Sequence, residues 1–87
     1  MAKKPIYKTA VGLEYDSQSA GAPTVSAKGE FLSADEVVKI AQRYGVPVIE
    51  RPSLARALLP LELEEQIPED LFEAVAVVLQ EVDKVAK

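Results

Sequence analysis

The chain has 87 residues, a length that suits one domain with a single modest core. Apolar residues make up 48% of the sequence and charged residues 28%, which is typical of a folded globular protein and not of a disordered one. The net charge of −4 argues against nucleic acid as a partner, and the absence of cysteine and histidine excludes disulfides, thiol or imidazole catalysis and the usual zinc ligands.

No apolar run approaches the roughly 18 residues that a membrane-spanning helix needs, and the N-terminus MAKKPIYK lacks the apolar core of a signal peptide. We therefore expect a single cytoplasmic domain over residues 1–87, with residues 1–6 flexible and with no direct insertion into a membrane.

The first two predicted elements are short strands. The sequence between Tyr7 and Tyr15 has the period-two pattern of a half-buried strand. A small, polar connection at residues 16–23 leads to a second strand from Thr24 to Lys28. The length of this connection favours antiparallel pairing of the two strands.

A helix and a third strand are predicted next. Ser33 and Glu36 form an S-x-x-E capping box, which predicts that a helix begins at Ser33. Gly45 supplies the left-handed conformation that commonly ends a helix. The following residues, Val46 to Glu50, predict a third strand, and the order strand, helix, strand implies parallel pairing through a right-handed crossover.

Two further helices complete the predicted fold. Pro52 opens a short helical segment that Pro60 ends. The longest periodic segment covers residues 67–86, with Pro68 at its first helical position and a broad apolar stripe (Leu71, Phe72, Val75, Ala76, Val78, Leu79 and Val82). The predicted fold class is α/β: a small three-stranded mixed sheet packed with about three helices.

Acidic residues are concentrated in the C-terminal part of the chain. Between Glu62 and Asp83 there are eight acidic residues and no basic one. The pattern fits a solvated helix face, and it also fits a surface that attracts basic segments of a partner.

No pattern in the sequence indicates an enzyme. Glu64, Glu65, Glu69 and Asp70 are close in sequence, but no lysine or histidine lies beside them to divide the roles of acid and base. Their spacing matches no calcium-binding loop, and the four glycines are too scattered for a phosphate-binding loop. Lys28, at the end of a predicted strand, is typical of a solvated or ion-paired position. We predict no catalytic residue, no metal site and no cofactor.

Four segments occur in a characteristic order between Ala10 and Leu79: AVGLEYD, AP-x-V-x-AKG, GVPVIE-x-P-x-LARAL and IPEDLFEAVAVVL. Each alone is a weak signal, but together they resemble the cytoplasmic domain of the FlhB/YscU family, the substrate-specificity switch of flagellar and other type III export gates. The chain resembles in particular the stand-alone FlhB-like paralogues of the FlhX or YlqH type.

The resemblance implies a self-cleavage motif, Asn-Pro-Thr-His, in the turn before the first strand. The corresponding positions here hold Pro5, Ile6, Tyr7 and Lys8, and the chain contains no asparagine. Cyclisation of an asparagine side chain onto its own carbonyl group requires that residue, so we predict no self-cleavage.

The resemblance also implies a strand before the cleavage site, for which MAKKPIYK is too short. We therefore expect an unpaired sheet edge near Tyr7 and Thr9. Either Lys3, Lys4 and Lys8 protect this edge from pairing, or a partner strand adds there.

A docking surface for export substrates follows from the resemblance as well. The positions of this sequence that correspond to that apolar patch are Ala22, Pro23, Ala76 and Leu79. Ala76 and Leu79 also belong to the core-facing stripe of the last helix, so plain packing is the alternative. Arg56 is expected to have a structural role, paired with Glu50 or with an acid after Glu62, and a partner contact is the alternative.

The predicted function is non-catalytic protein binding in flagellar or type III export, related to substrate-specificity switching. The implied partners are the FlhA-type subunit, the export ATPase apparatus, a membrane-bound FlhB homologue, and substrates such as rod and hook subunits. Alternatively, the chain is a structural surrogate that associates with a truncated membrane-bound homologue, or an unrelated protein-binding module on the same fold.

Overall fold

The computed structural model describes residues 4–15 and 21–86. In these residues the elements are β1 (Thr9–Glu14), β2 (Thr24–Glu30), α1 (Leu32–Arg43), α2 (Pro52–Leu58), a 3₁₀ turn (Glu69–Leu71) and α3 (Phe72–Ala86). None of the described helices is long and apolar enough to cross a membrane. Residues 16–20 of the predicted connection, and Lys3 of the predicted edge, lie outside the described residues.

The two strands form an antiparallel hairpin, as predicted. Thr9 pairs with Glu30 and Gly12 with Ala27, after which the register shifts so that Leu13 pairs with Val25. The shift leaves Ser26 as an extra residue in β2, which is the arrangement of a β-bulge.

The start of β2 pairs on its other side with the segment 64–67. The Val25 amide donates to the Glu65 carbonyl over 3.1 Å, and the Glu64 amide donates to the Val25 carbonyl over 2.7 Å. A further bond joins the Ile67 amide to the Pro23 carbonyl at 3.0 Å. One edge of the hairpin is therefore occupied, although the pairing is too short to form a regular strand.

Helix α1 begins earlier than the capping box predicted. Its N-cap is Phe31, which makes no side-chain cap hydrogen bond, and Ser33 lies inside the first turn. The Phe31 amide instead donates to the Lys8 carbonyl over 2.9 Å, so pairing with the first strand fixes the start of the helix. The predicted capping box of Ser33 and Glu36 is therefore wrong as the device that starts α1.

The predicted end of α1 is confirmed. Gly45 has φ of 72°, in the left-handed region that favours glycine. Its amide donates to the Gln42 carbonyl and the Val46 amide donates to the Ala41 carbonyl, over 3.2 and 2.8 Å. This pair of bonds is a Schellman motif, which satisfies the last carbonyl groups of the helix.

The predicted third strand is wrong, and with it the predicted three-stranded mixed sheet. Residues 46–50 have no regular secondary structure and form no ladder, and the sheet of the described residues has two antiparallel strands. Pro47 lacks an amide hydrogen, and no hydrogen bond joins residues 47–50 to β1. A segment whose backbone makes no ladder hydrogen bonds is not a strand.

The remaining helices follow the prediction with one change. Helix α2 begins at Pro52, as expected. Pro68 has ψ of 155° and precedes a 3₁₀ turn, so the α-helical part of the last segment begins at Phe72 and not at Pro68.

Apolar clusters lie on both faces of the hairpin. Ala10 packs with Ala34 and Val38 of α1 on one face. On the other face Val11 and Leu13 pack against the buried cluster of Leu58, Ile67 and Val75. This alternation along β1 is the period-two pattern seen in the sequence.

Candidate binding surfaces

The free edge of β1 is the first candidate surface. The carbonyl of Lys8 faces β2, because it accepts a hydrogen bond from Phe31. Backbone groups alternate along an antiparallel strand, so those of Thr9, Val11 and Leu13 face away from β2. Among the described residues, no backbone hydrogen bond to these outward groups is present.

The segment 46–50 shares a small cavity with side chains of β1. Val46 and Val48 are exposed, whereas Pro47 and Ile49 are half-buried, so the segment has the alternating burial of a strand. Ile49 lines a cavity of about 60 Å³ together with Val11 and Leu13 of β1. Apolar side chains of the helices (Leu54, Ala55, Leu58 and Val78) and Arg51 complete the lining.

Part of the apolar surface of α1 is uncovered. Val38 is buried and Val37 packs against its cluster, but Ile40 is 49% exposed and Tyr44 75% exposed. The uncovered part is the last turn of α1, immediately before the segment 46–50.

Asp35 of α1 binds the backbone at two of the four positions that correspond to the family's cleavage motif. Its carboxylate accepts hydrogen bonds from the amides of Ile6, at 3.0 Å, and Tyr7, at 2.9 Å. Sequence reasoning missed this role, because nothing in the sequence links Asp35 to residues 28 and 29 positions away. The Tyr7 amide is thereby used, so of the two predicted edge residues only Thr9 presents a free amide to the edge.

The predicted docking patch has two halves that the fold brings towards each other. Ile67 connects them, since its amide bonds the Pro23 carbonyl and its side chain belongs to the cluster against which Leu79 packs. Ala22 and Pro23 are half-buried and Ala76 is exposed. The patch is therefore partly accessible, and Leu79 serves the core as well.

The acidic residues of the C-terminal part are exposed, apart from Glu81, which is half-buried. Glu81 forms an ion pair with Arg51, which ties the segment after residue 50 to α3. Among the described residues there is no group of three or more side chains placed to hold a metal ion.

Two basic residues have roles other than those expected from the sequence. Lys28 donates from Nζ to the carbonyl groups of Leu59 and Leu61, over 3.1 and 2.7 Å, and so satisfies carbonyls at the end of α2. Arg56 is exposed and makes no ion pair with a described residue, so its predicted pairing with Glu50 or a later acid is not formed.

A solved structure with the same fold shows to which class of protein this chain belongs. The cytoplasmic domain of FlhB from Shewanella putrefaciens matches with a TM-score of 0.79 and 41% identity, over 85% of this chain and 60% of that one. The fold is that of the cytoplasmic domain of a flagellar export protein.

Sequence comparison places the chain in a particular family. The family model described as the FlhB HrpN YscU SpaS family matches residues 7–82. YlqH of Bacillus subtilis is 44% identical over 72 residues, which are 83% of this chain and 76% of that protein. FlhB of Salmonella typhimurium is 46% identical over 70 residues, 79% of this chain and 18% of that protein.

The chain belongs to the FlhB HrpN YscU SpaS family, and the resemblance predicted from its segments is confirmed. The FlhB proteins that it matches are described as flagellar biosynthetic proteins. The chain spans about a fifth of the length of the FlhB proteins that it matches.

Proposed function

We propose that this chain is a non-catalytic, cytoplasmic binding component of a flagellar or type III export apparatus, related to substrate-specificity switching. The observation that carries the proposal is the open edge of β1 beside the strand-like segment 46–50. Its partners at this edge are export-gate proteins, and a membrane-bound FlhB homologue is the first of them to test.

A strand from the partner could pair with β1 and with the segment 46–50. The outward backbone groups of β1 offer hydrogen bonds on one side. The backbone groups of residues 47–49 offer them on the other, whereas the Glu50 carbonyl already accepts a hydrogen bond from Arg51. The cavity between Val11, Leu13 and Ile49 is apolar, so the added strand should carry apolar side chains towards α2 and α3. Such a strand would make the chain a structural surrogate for the corresponding part of a truncated homologue.

The test is a binding assay between this chain and a membrane-bound FlhB homologue truncated before its own copy of the domain. Thr9→Pro removes an outward amide at the first position of the strand, where proline leaves the bonds to β2 intact. Thr9→Val retains the amide and is the matched control. Binding by the wild type and Thr9→Val, but not by Thr9→Pro, supports strand addition. Equal binding by all three refutes it.

The docking patch is a second proposed surface, favoured by the position of Ile67 between its two halves. We propose that Ala22, Pro23, Ala76 and Leu79 bind apolar segments of export substrates such as rod and hook subunits. Ala76 is exposed and can be substituted without opening the core, unlike Leu79.

Pull-down of purified rod and hook subunits tests this surface. Pro23→Asp and Ala76→Asp should abolish capture, whereas Val77→Asp, at the next exposed position of α3, should retain it. Circular dichroism confirms that each variant is folded. Capture that is equal for Ala76→Asp and Val77→Asp removes the patch from the proposal. If the chain binds neither gate proteins nor substrates, the better hypothesis is that it is an unrelated protein-binding module on the same fold.

A further inference from the structure

The acidic part of the chain contains one half of the proposed docking patch and contacts the other half. Between Arg56 and Lys84 the sequence carries eight acidic residues and no basic one. Pro23, Ala76 and Leu79 lie in contact with this part of the chain or belong to it. The electrostatic potential at the patch is therefore set mainly by carboxylates.

Two acidic residues of α3 lie three or four positions from patch residues, which places them on the same side of the helix. Glu73 precedes Ala76 by three positions and Asp83 follows Leu79 by four, so both share the helix surface with the patch. Glu73, Ala76 and Asp83 are exposed to solvent, so the two carboxylates can meet a ligand that reaches Ala76.

Acids also flank the other half of the patch. The backbone of Glu64 and Glu65 pairs with Val25, two residues after Pro23. Both glutamates are exposed, and the Glu65 carboxylate accepts a hydrogen bond from the Glu62 amide, which holds it on this loop.

The nearby basic side chains leave most of this charge uncompensated. Arg51 is paired with Glu81. Lys28 donates to the carbonyl groups of Leu59 and Leu61 and keeps its positive charge, but it is one cation against the seven other acids of this part of the chain. Arg51 thus neutralises Glu81, but the exposed acids beside the patch form no ion pair with a described residue.

We infer that the docking patch selects apolar segments flanked by lysine or arginine over segments flanked by neutral or acidic residues. The inference rests on the proposed docking function and adds the charge of the ligand to it. Apolar contacts at Pro23, Ala76 and Leu79 would anchor the segment, while the surrounding carboxylates attract its basic ends. Since the acids are exposed, their effect should act largely on the association rate and weaken as salt rises.

The experiment uses three synthetic peptides that share one apolar centre of leucine, valine and alanine and differ only in their flanking residues: lysine, serine or glutamate. Binding to the full chain is measured by fluorescence anisotropy at low and high salt. Two ion pairs of ordinary surface strength should make the lysine-flanked peptide bind roughly tenfold more tightly than the serine-flanked one at low salt. High salt should remove most of this difference.

Paired variants locate the effect on the protein. Glu73→Gln together with Asp83→Asn should reduce the preference for lysine, whereas the control Glu30→Gln with Glu36→Gln removes two exposed acids from other parts of the surface and should not. Ala76→Asn, which adds a polar group without a charge, should weaken all three peptides through loss of the apolar contact.

The outcomes separate this inference from the docking function. Preference for lysine that falls in the Glu73 and Asp83 variant supports the inference. Equal binding of the three peptides, lost in Ala76→Asn, overturns the charge preference and leaves docking intact. Absence of binding by every peptide overturns the inference, while the pull-down of rod and hook subunits decides docking separately.

Discussion

Replacing Val75 with alanine should destabilise the protein strongly, whereas the same replacement at Val77 should not. The two valines lie two positions apart on α3, yet Val75 is 2% exposed and Val77 is 50% exposed. Val75 packs with Leu58 and Ile67, the cluster that holds α3 against the hairpin and positions the docking patch.

The magnitude follows from what the side chain buries. Removing two buried carbon groups costs about 1.6 kcal/mol in transfer free energy, and the cavity left behind adds about 1 kcal/mol. The higher helix propensity of alanine offsets about 0.5 kcal/mol of this loss in stability. We expect Val75→Ala to lower the free energy of unfolding by about 2 kcal/mol, which corresponds to a fall of roughly 8–16 °C in Tm for a domain of this size.

Urea and thermal unfolding, followed by circular dichroism at 222 nm, measure both variants. Val77→Ala should change the free energy of unfolding by less than about 0.5 kcal/mol, because it removes little buried surface. Equal losses in the two variants would refute the packing of α3 described above, since they would show that both valines face the core.

Three further substitutions test the local structure in the same unfolding assay. Gly29→Ala should cost about 2 kcal/mol, because its Cβ would lie 2.7 Å from the Ser33 carbonyl carbon and force the first turn of α1 away from β2. Gly45→Ala should cost about 1 kcal/mol from the left-handed conformation alone, since the space around it is open. Lys28→Met keeps the aliphatic stem but loses the bonds to Leu59 and Leu61, and should cost about 1 kcal/mol.

Each of these has a result that would contradict it. A neutral Gly29→Ala would mean that α1 is not closely packed on β2, and a neutral Gly45→Ala would contradict the Schellman end of α1. Lys39→Met, which removes another exposed lysine, is the control for Lys28→Met, and equal effects would mean that general charge and not the carbonyl bonds explains the loss.

Features set by neighbouring residues could be predicted from the sequence. The hairpin follows from the period-two pattern, and the end of α1 follows from the conformational freedom of Gly45. The start of α1 could not be predicted in the same way. A contact between Phe31 and Lys8, distant in sequence, fixes it, and a capping motif carries no information about such a contact.

The prediction of a third strand was wrong for a related reason. GVPVIE has the composition and the alternating burial of a strand, but a strand also requires a neighbouring backbone, which the sequence of the segment cannot report. The same limit applies to the binding surfaces. The four patch residues came from the resemblance to a family, and the sequence could not show that Ile67 connects their two halves.

The two proposed surfaces lie at opposite edges of the hairpin. The open edge belongs to β1, whereas the Pro23 carbonyl faces the segment 64–67 on the outer side of β2. A strand added to β1 and a substrate bound beside Pro23 would therefore use different backbone groups, and neither should displace the other. If both proposals hold, the chain bound to a membrane-bound homologue should capture a hook or rod subunit as well as the free chain does. Loss of capture on binding the homologue would place the two partners on one surface and would reduce the two proposed sites to one.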